Sequence, residues 1–378
     1  MIFSLNMIAV GMLSILSVDS TATRLPVTAD TTFLVQKRYS DSLLEFKIFP
    51  ASIRKEESAE TRIAKNTDSI PNKIIQDTSE FIPVEEFTFA GERRYILDGS
   101  QPLRVSKIKP AAVLAIQGTY FAVLVALHLY QENTFWRQST SFRVRDNYDE
   151  SFGANYGGHG IAGYYLSYLS TESLLACGVS TKLAPIYGAL MGLGYQVYVE
   201  VLDGYGSNFA LSPYEMYSNV IGVTWYLASQ YSPFLQNFVP KYSYYPSSWF
   251  GYLPKAGSET PIDDYSAWNF WVAINVPHLI SPSYDSFWPS WLDITPGYSA
   301  RNLGYSNATR VVTLSLDYNL VKLLPDGSPS WNWFKQTINF FKLPSPTIEW
   351  SFDRYWNKGP VRLYLAYPFP IKIGNVRF

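Results

Sequence analysis

The sequence predicts an α+β chain: a four-helix, membrane-like bundle followed by a β-rich C-terminal region, either a sheet or a partial barrel. Three observations carry this. Between residues 108 and 237, apolar, aromatic and small residues recur at helical spacing. After Phe238 the pattern switches to strict alternation. Only 16% of the 378 residues are charged, below the roughly 25% of an average soluble domain, and 29 Tyr, 23 Phe and 11 Trp fill the deficit.

The chain divides into four parts. Residues 2–18 form an apolar run followed by Ser20-Thr21-Ala22, a small-x-small cleavage pattern. Residues 1–22 are therefore read as a secretory signal, with an uncleaved anchor as the alternative. The n-region has no Lys or Arg. Residues 23–107 form an N-terminal segment. Within it, residues 50–80 are charged and poor in large apolar side chains, which predicts a flexible linker. A short strand is expected between Phe87 and Leu97. Residues 108–237 are the helical domain and 238–378 the β-rich domain.

Four helical stretches are expected in the helical domain. Residues 111–130 carry no formal charge and match the length of a bilayer span. Gln117, Thr119 and His128 make a buried or interfacial helix an equal alternative. Residues 158–177 place Tyr164, Tyr165, Tyr168 and Leu169 at helical spacing. Residues 182–202 carry Ala184, Gly188, Gly192 and Gly194, small residues that let helices approach closely. Residues 213–232 open with Ser212-Pro213-Tyr214-Glu215: an N-cap, a proline at the first helical position and a glutamate at the third.

Four alternating segments follow. Trp268, Phe270, Val272, Ile274 and Val276 make the first, and Val312, Leu314, Leu316 and Tyr318 the second. Ile348, Trp350 and Phe352 make the third, and Val361, Leu363 and Leu365 the fourth. The chain ends in Phe378, as outer-membrane barrels often do, but four strands fall short of the eight or so a barrel needs.

Composition also bounds function. The net charge of −1 provides no field for phosphates, which argues against a nucleic-acid partner. The single cysteine, Cys177, excludes an intramolecular disulfide and a Cys-cluster metal site, and is expected to be a buried thiol. Walker and GxSxG motifs are absent. Asn307-Ala308-Thr309 is a formal sequon that matters only in a eukaryotic secretory route. Low charge with abundant Tyr and Trp suits a lipid–water interface.

Of the three histidines, His128 and His278 are expected to be structural. His159 differs because it opens a helix after Asn155-Tyr156-Gly157-Gly158. The next helix ends in Glu200-Val201-Leu202-Asp203-Gly204, and Glu200 and Asp203, three apart, share a face. The last begins at Ser212, and Glu215 and Asn219, four apart, also share one. Antiparallel packing brings these ends together. His159, Glu200 and Asp203 are thus the candidate catalytic group, with Asn155, Ser212, Glu215 and Asn219 as a ligand-binding or structural polar cluster. An acid–base pair, a His/Glu/Asp metal site and a hydrogen-bonded network closing the bundle all remain open. The single histidine and the lack of HExxH-type spacing name no particular metal, and no cofactor is implied.

These motifs resemble the YfiM-like family of predicted bacterial envelope proteins, a domain of unknown function, and more distantly the VanZ-like membrane family. The family pattern runs Asp-Lys-x-x-His, Glu-x-x-Asp, then Ser-x-x-Asp with a later Asn or Asp and Gly. His159 takes the histidine position. Glu200 and Asp203-Gly204 match the second motif, and Ser212, Asn219 and Gly222 the third. Asn155 and Tyr156 replace Asp-Lys, and Glu215 stands for the last Asp. The stretches 241–247, 288–292, 314–317 and 344–349 look like C-terminal blocks of the longer members found in Bacteroidetes-type bacteria, so the likeness covers about residues 108–375.

The resemblance implies an exported envelope protein, in the outer membrane or periplasm, and no established reaction. The expected function is non-catalytic binding of lipid, glycan or another envelope protein. The alternatives are a hydrolase or transferase acting on an envelope lipid or cell-wall substrate through His159, Glu200 and Asp203, and a metal site at the same cluster.

Overall fold

Mixed helix and antiparallel sheet make up the described part of the chain. The computed structural model describes residues 80–146, 148–279, 288–373 and 376–377. The leader 1–22, almost all of the linker 50–80, Phe378 and the side chain of His278 lie outside the described residues. The strand expected near Phe87 is a two-residue hairpin, β1 (Thr88–Phe89) against β2 (Glu92–Arg93). It is tied to the helices by a buried ion pair: Arg94 Nη2 lies 2.7 Å from Glu172 Oε1.

Helix α1 (Pro110–Asn133) is apolar and long enough to cross a membrane, yet its packing face is polar. Gln117 donates to Ser173 Oγ at 2.9 Å, Tyr120 shares a hydrogen bond with Ser170, and Tyr198 shares one with His128 Nδ1 at 2.8 Å. Positions 117, 120, 128 and 131 follow helical spacing, so one polar stripe meets α2 and α3. The apolar remainder, including Leu114, Val123, Leu127 and Leu129, is exposed.

Helices α2 (Ala154–Ala176), α3 (Ala184–Tyr205) and α4 (Pro213–Ser229) pack on one another. Glycines permit this approach. A Cβ on Gly188 would stand 2.2 Å from Thr171 Oγ1, and one on Gly222 would stand 1.8 Å from the Gly160 carbonyl oxygen. Gly192 likewise sits on Ser167, whereas Gly194 touches nothing and belongs to the open face. Helix α2 begins four residues earlier than its glycines suggest, because Gly153 takes the left-handed conformation just before it (φ 77°). Asn155 and His159 therefore lie one turn apart on the same helix.

The sheet is a six-stranded antiparallel meander of β3 (Phe238–Tyr244), β4 (Trp268–Ile274), β5 (Leu292–Arg301), β6 (Thr309–Tyr318), β7 (Thr347–Phe352) and β8 (Lys358–Tyr364). The four alternating segments account for β4, β6, β7 and β8. Alternation missed β3 and β5, which are interrupted by Pro240, Lys241, Pro296 and Gly297. A further helix, α5 (Pro329–Ile338), was also unexpected.

The sheet curls strongly. Lys241 on β3 pairs with Asp317 on β6 at 2.5 Å, although these strands would stand about 14 Å apart in a flat sheet. Its concave face is polar and buried: Lys241, Thr295, Ser315, Asp317, Thr347 and Glu349 are sealed from solvent. The other face is apolar. The helices cover it over β3–β5, where Phe270 lies against Gly157 and Tyr298 donates to the Phe152 carbonyl. Over β6–β8 it is open. Register places Leu314, Ile348 and Leu363 in one row there, 43, 37 and 55% exposed.

Candidate functional site

Three helices each deliver one side chain to a single point. His159 comes from the second turn of α2, Glu200 from the last turns of α3 and Glu215 from the first turn of α4. His159 Nδ1 lies 3.2 Å from Glu200 Oε1, and its Nε2 lies 3.5 Å from Glu215 Oε2. The antiparallel arrangement expected from sequence brings these three together. Glu200 is wholly buried and Glu215 nearly so, while His159 keeps a small exposed edge.

Each carboxylate has one oxygen held by a neighbour and one turned to the imidazole. Glu200 Oε2 accepts from the Ser212 backbone N–H at 3.3 Å, and Glu215 Oε1 accepts from Asn155 Nδ2. Ser151 in turn donates to Asn155 Oδ1. Ser212 also performs its expected cap, its hydroxyl accepting from the Glu215 backbone N–H at 3.3 Å. Asn219 Oδ1 lies 3.3 Å from His159 Nδ1 and accepts from Gln196 Nε2 at 2.6 Å.

Asp203 sits elsewhere. Its carboxylate accepts from the Trp136 indole N–H at 2.6 Å, and it is not one of the three acid and imidazole groups that converge. It influences them through its charge. Glu200 is pushed up to about 9, first by burial and then by the charges of Glu215 and Asp203. Asp203 is pushed up to about 7 by burial, partly offset by the Trp136 hydrogen bond. Burial and the neighbouring carboxylate charge thus favour the protonated form of Glu200 over its ionised form.

The cluster forms the floor of a cavity of about 410 Å³ between the helices and the covered part of the sheet. His159, Asp203 and Glu215 line it, and its walls are Tyr165, Tyr242, Tyr265, Trp268 and Phe270. Burial, followed by the nearby carboxylates of Glu215, Asp203, Glu200 and Asp263, holds the Tyr265 hydroxyl far above its usual range, so it remains a neutral donor. An imidazole beside two carboxylates in an aromatic-walled pocket can move a proton, hold a cation or fix a polar headgroup.

Sequence reasoning named the imidazole and both carboxylates, His159, Glu200 and Glu215, and three of the residues that hold them, Asn155, Ser212 and Asn219. It missed Gln196, although Gln196 stands one turn before Glu200 on the same helix face. Tyr265, Trp268 and Phe270 come from the sheet and its preceding loop, and no local pattern ties them to the helices. His128 is bonded to Tyr198 and lies 3.6 Å from Glu132. Cys177 is a buried free thiol. No family model, curated protein or solved structure matches the chain.

Proposed function

We propose that this is a bacterial envelope protein whose outer face contacts lipid and whose aromatic cavity binds an amphiphilic envelope ligand without chemistry. The observation that carries it is the inverted sheet. Ser315, Asp317, Thr347 and Glu349 are buried while their neighbours Leu314, Ile348 and Leu363 face outward. Burying polar groups behind an exposed apolar row is costly in water and favourable against hydrocarbon. Helix α1 repeats the pattern, with its polar stripe packed and its apolar side open. On this reading α1–α4 are a membrane-type helical bundle, the small-residue contacts at Gly188, Gly192 and Gly222 being of the kind such bundles use. The YfiM-like motifs support an exported location, in the outer membrane or at its periplasmic face. Flotation with phosphatidylethanolamine–phosphatidylglycerol vesicles tests the proposal. The protein should float with the vesicles and need detergent for extraction. Recovery as a monodisperse species without detergent, with no flotation, would overturn it.

A second reading is favoured by the exposed edge of His159 on the cavity. The imidazole would act as acid or base on an envelope lipid, with Glu200 orienting it and Asp203 acting only through its charge. A folded His159→Gln variant that processes envelope lipid extracts as the wild type does would remove this reading.

A further inference from the structure

We propose that His159, Glu200 and Glu215 hold one divalent first-row transition-metal ion, of the zinc or manganese class, at the floor of the cavity. This goes beyond the lipid-facing reading and does not depend on it. The donor atoms of the three residues all lie within 4.8 Å of one another. Donors around one such tetrahedral ion stand about 3.4 Å apart, so the side chains close on the ion by up to roughly an ångström to complete the site. One imidazole nitrogen and two carboxylate oxygens form the mixed donor set that these ions accept.

Glu215 Oε2 faces the Nε2 edge of the imidazole and Glu200 Oε1 its Nδ1 edge, so an ion shared by all three draws the Glu200 carboxylate round toward Nε2. Glu200 is anchored through Oε2 by Ser212, which leaves Oε1 directed at the imidazole. That Oε1 is fully buried and accepts no hydrogen bond from the described residues. Glu215 is anchored through Oε1 by Asn155, with Oε2 on the imidazole side. The Asn219 carbonyl faces His159 Nδ1, which favours the Nδ1–H tautomer and turns the Nε2 lone pair toward Glu215. Asn219 is thus a positioning residue. Because the donors come from α2, α3 and α4, and glycine contacts lock these helices, the backbones that carry the donors are held before an ion arrives. His159 and Glu215 line the cavity, so a free coordination position would face a ligand there.

The test uses full-length protein in detergent, stripped with EDTA and titrated with Zn²⁺ or Mn²⁺ by calorimetry. Metal content is read in parallel by elemental analysis. One ion per chain is expected, with Co²⁺ giving visible d–d bands that shift in His159→Gln. Glu200→Gln should abolish stoichiometric binding, and Asn219→Ala should weaken it by about 10–100-fold. Glu132→Gln, beside the surface His128, should change nothing. Lack of stoichiometric binding by the wild type, or undiminished binding by a folded Glu200→Gln variant, overturns the proposal and leaves a hydrogen-bonded network of the imidazole and two carboxylates. If Glu200→Gln does not fold, the wild-type Co²⁺ spectrum decides, since the absence of bands also overturns it. Vesicle flotation should be the same with and without EDTA, so failure here is separable from failure of the lipid reading.

Discussion

Leu314 and Ser315 are adjacent in one strand and have opposite surroundings. Leu314 stands 43% exposed beside Ile348, whereas Ser315 is buried, with its hydroxyl bonded to Ser345 at 3.0 Å and Thr347 at 2.7 Å. The pleat imposes the alternation. The curl of the sheet decides that the polar side becomes the interior.

Two substitutions should therefore separate. Ser315→Leu places a large apolar side chain in a satisfied polar network and leaves buried groups unpaired, a loss of about 2–4 kcal/mol. Leu314→Ser removes no buried contact and should shift stability in detergent by less than about 0.5 kcal/mol. Paired with Leu363→Ser, it should reduce vesicle flotation. Thermal unfolding in detergent and the flotation assay read the two effects.

The four alternating segments were legible because each carries at least three apolar residues in strict period two. The direction of burial was not, since alternation marks two faces without saying which one meets solvent. Strands β3 and β5 escaped because Pro240, Pro296 and Gly297 break the alternation. In the structure Gly297 leaves room for the Trp271 indole, which a Cβ would approach to 2.2 Å. That His159, Glu200 and Glu215 lie at one end of the helices was legible because all three sit near helix ends, but helical spacing alone favoured Asp203 over Glu215 as the third group. The aromatic half of the cavity was not, because Tyr265, Trp268 and Phe270 reach it only through the long-range docking of the sheet on α2.

The ion pair between Arg94 and Glu172 is buried on both sides and bonded to Gln230 at 2.8 Å. Arg94→Ala should cost about 3–5 kcal/mol, because it strands a buried carboxylate. The joint change Arg94→Met with Glu172→Leu should recover most of that loss. A double-mutant cycle by denaturant unfolding gives the coupling. Additive losses would show that the pair does not hold the hairpin to the helices.

Three glycines should respond differently to alanine. Gly222→Ala must push α4 away from the Gly160 carbonyl and Gly188→Ala must push α3 from Thr171, each costing about 2 kcal/mol or more. Gly194 has open space around it, so Gly194→Ala should stabilise α3 by roughly 0.5–1 kcal/mol. Equal effects at all three positions would mean that the helices do not pack as closely as described. The melting temperature of each variant is the measurement.

The last prediction concerns pH. Burial raises Asp203 to about 7 from an ordinary 3.8, so the folded state holds its proton more tightly than the unfolded chain does. A raised folded-state value contributes stability that is fully present below the unfolded value. That contribution is lost as pH rises through about 7, where the folded protein must also ionise. Asp203→Asn keeps an oxygen for the Trp136 N–H and removes the titration. The variant should match the wild type near pH 4. It should become the more stable of the two across pH 4–7 and hold a constant advantage above that. The gain should be on the order of 2 kcal/mol, below the full shift because Asp203 keeps surface on the cavity. Melting temperatures of both proteins at pH 4.5, 6 and 8.5 read it directly. An advantage independent of pH, or largest at pH 4.5, would mean that the Asp203 carboxyl is ionised in the fold and stabilised by something other than Trp136.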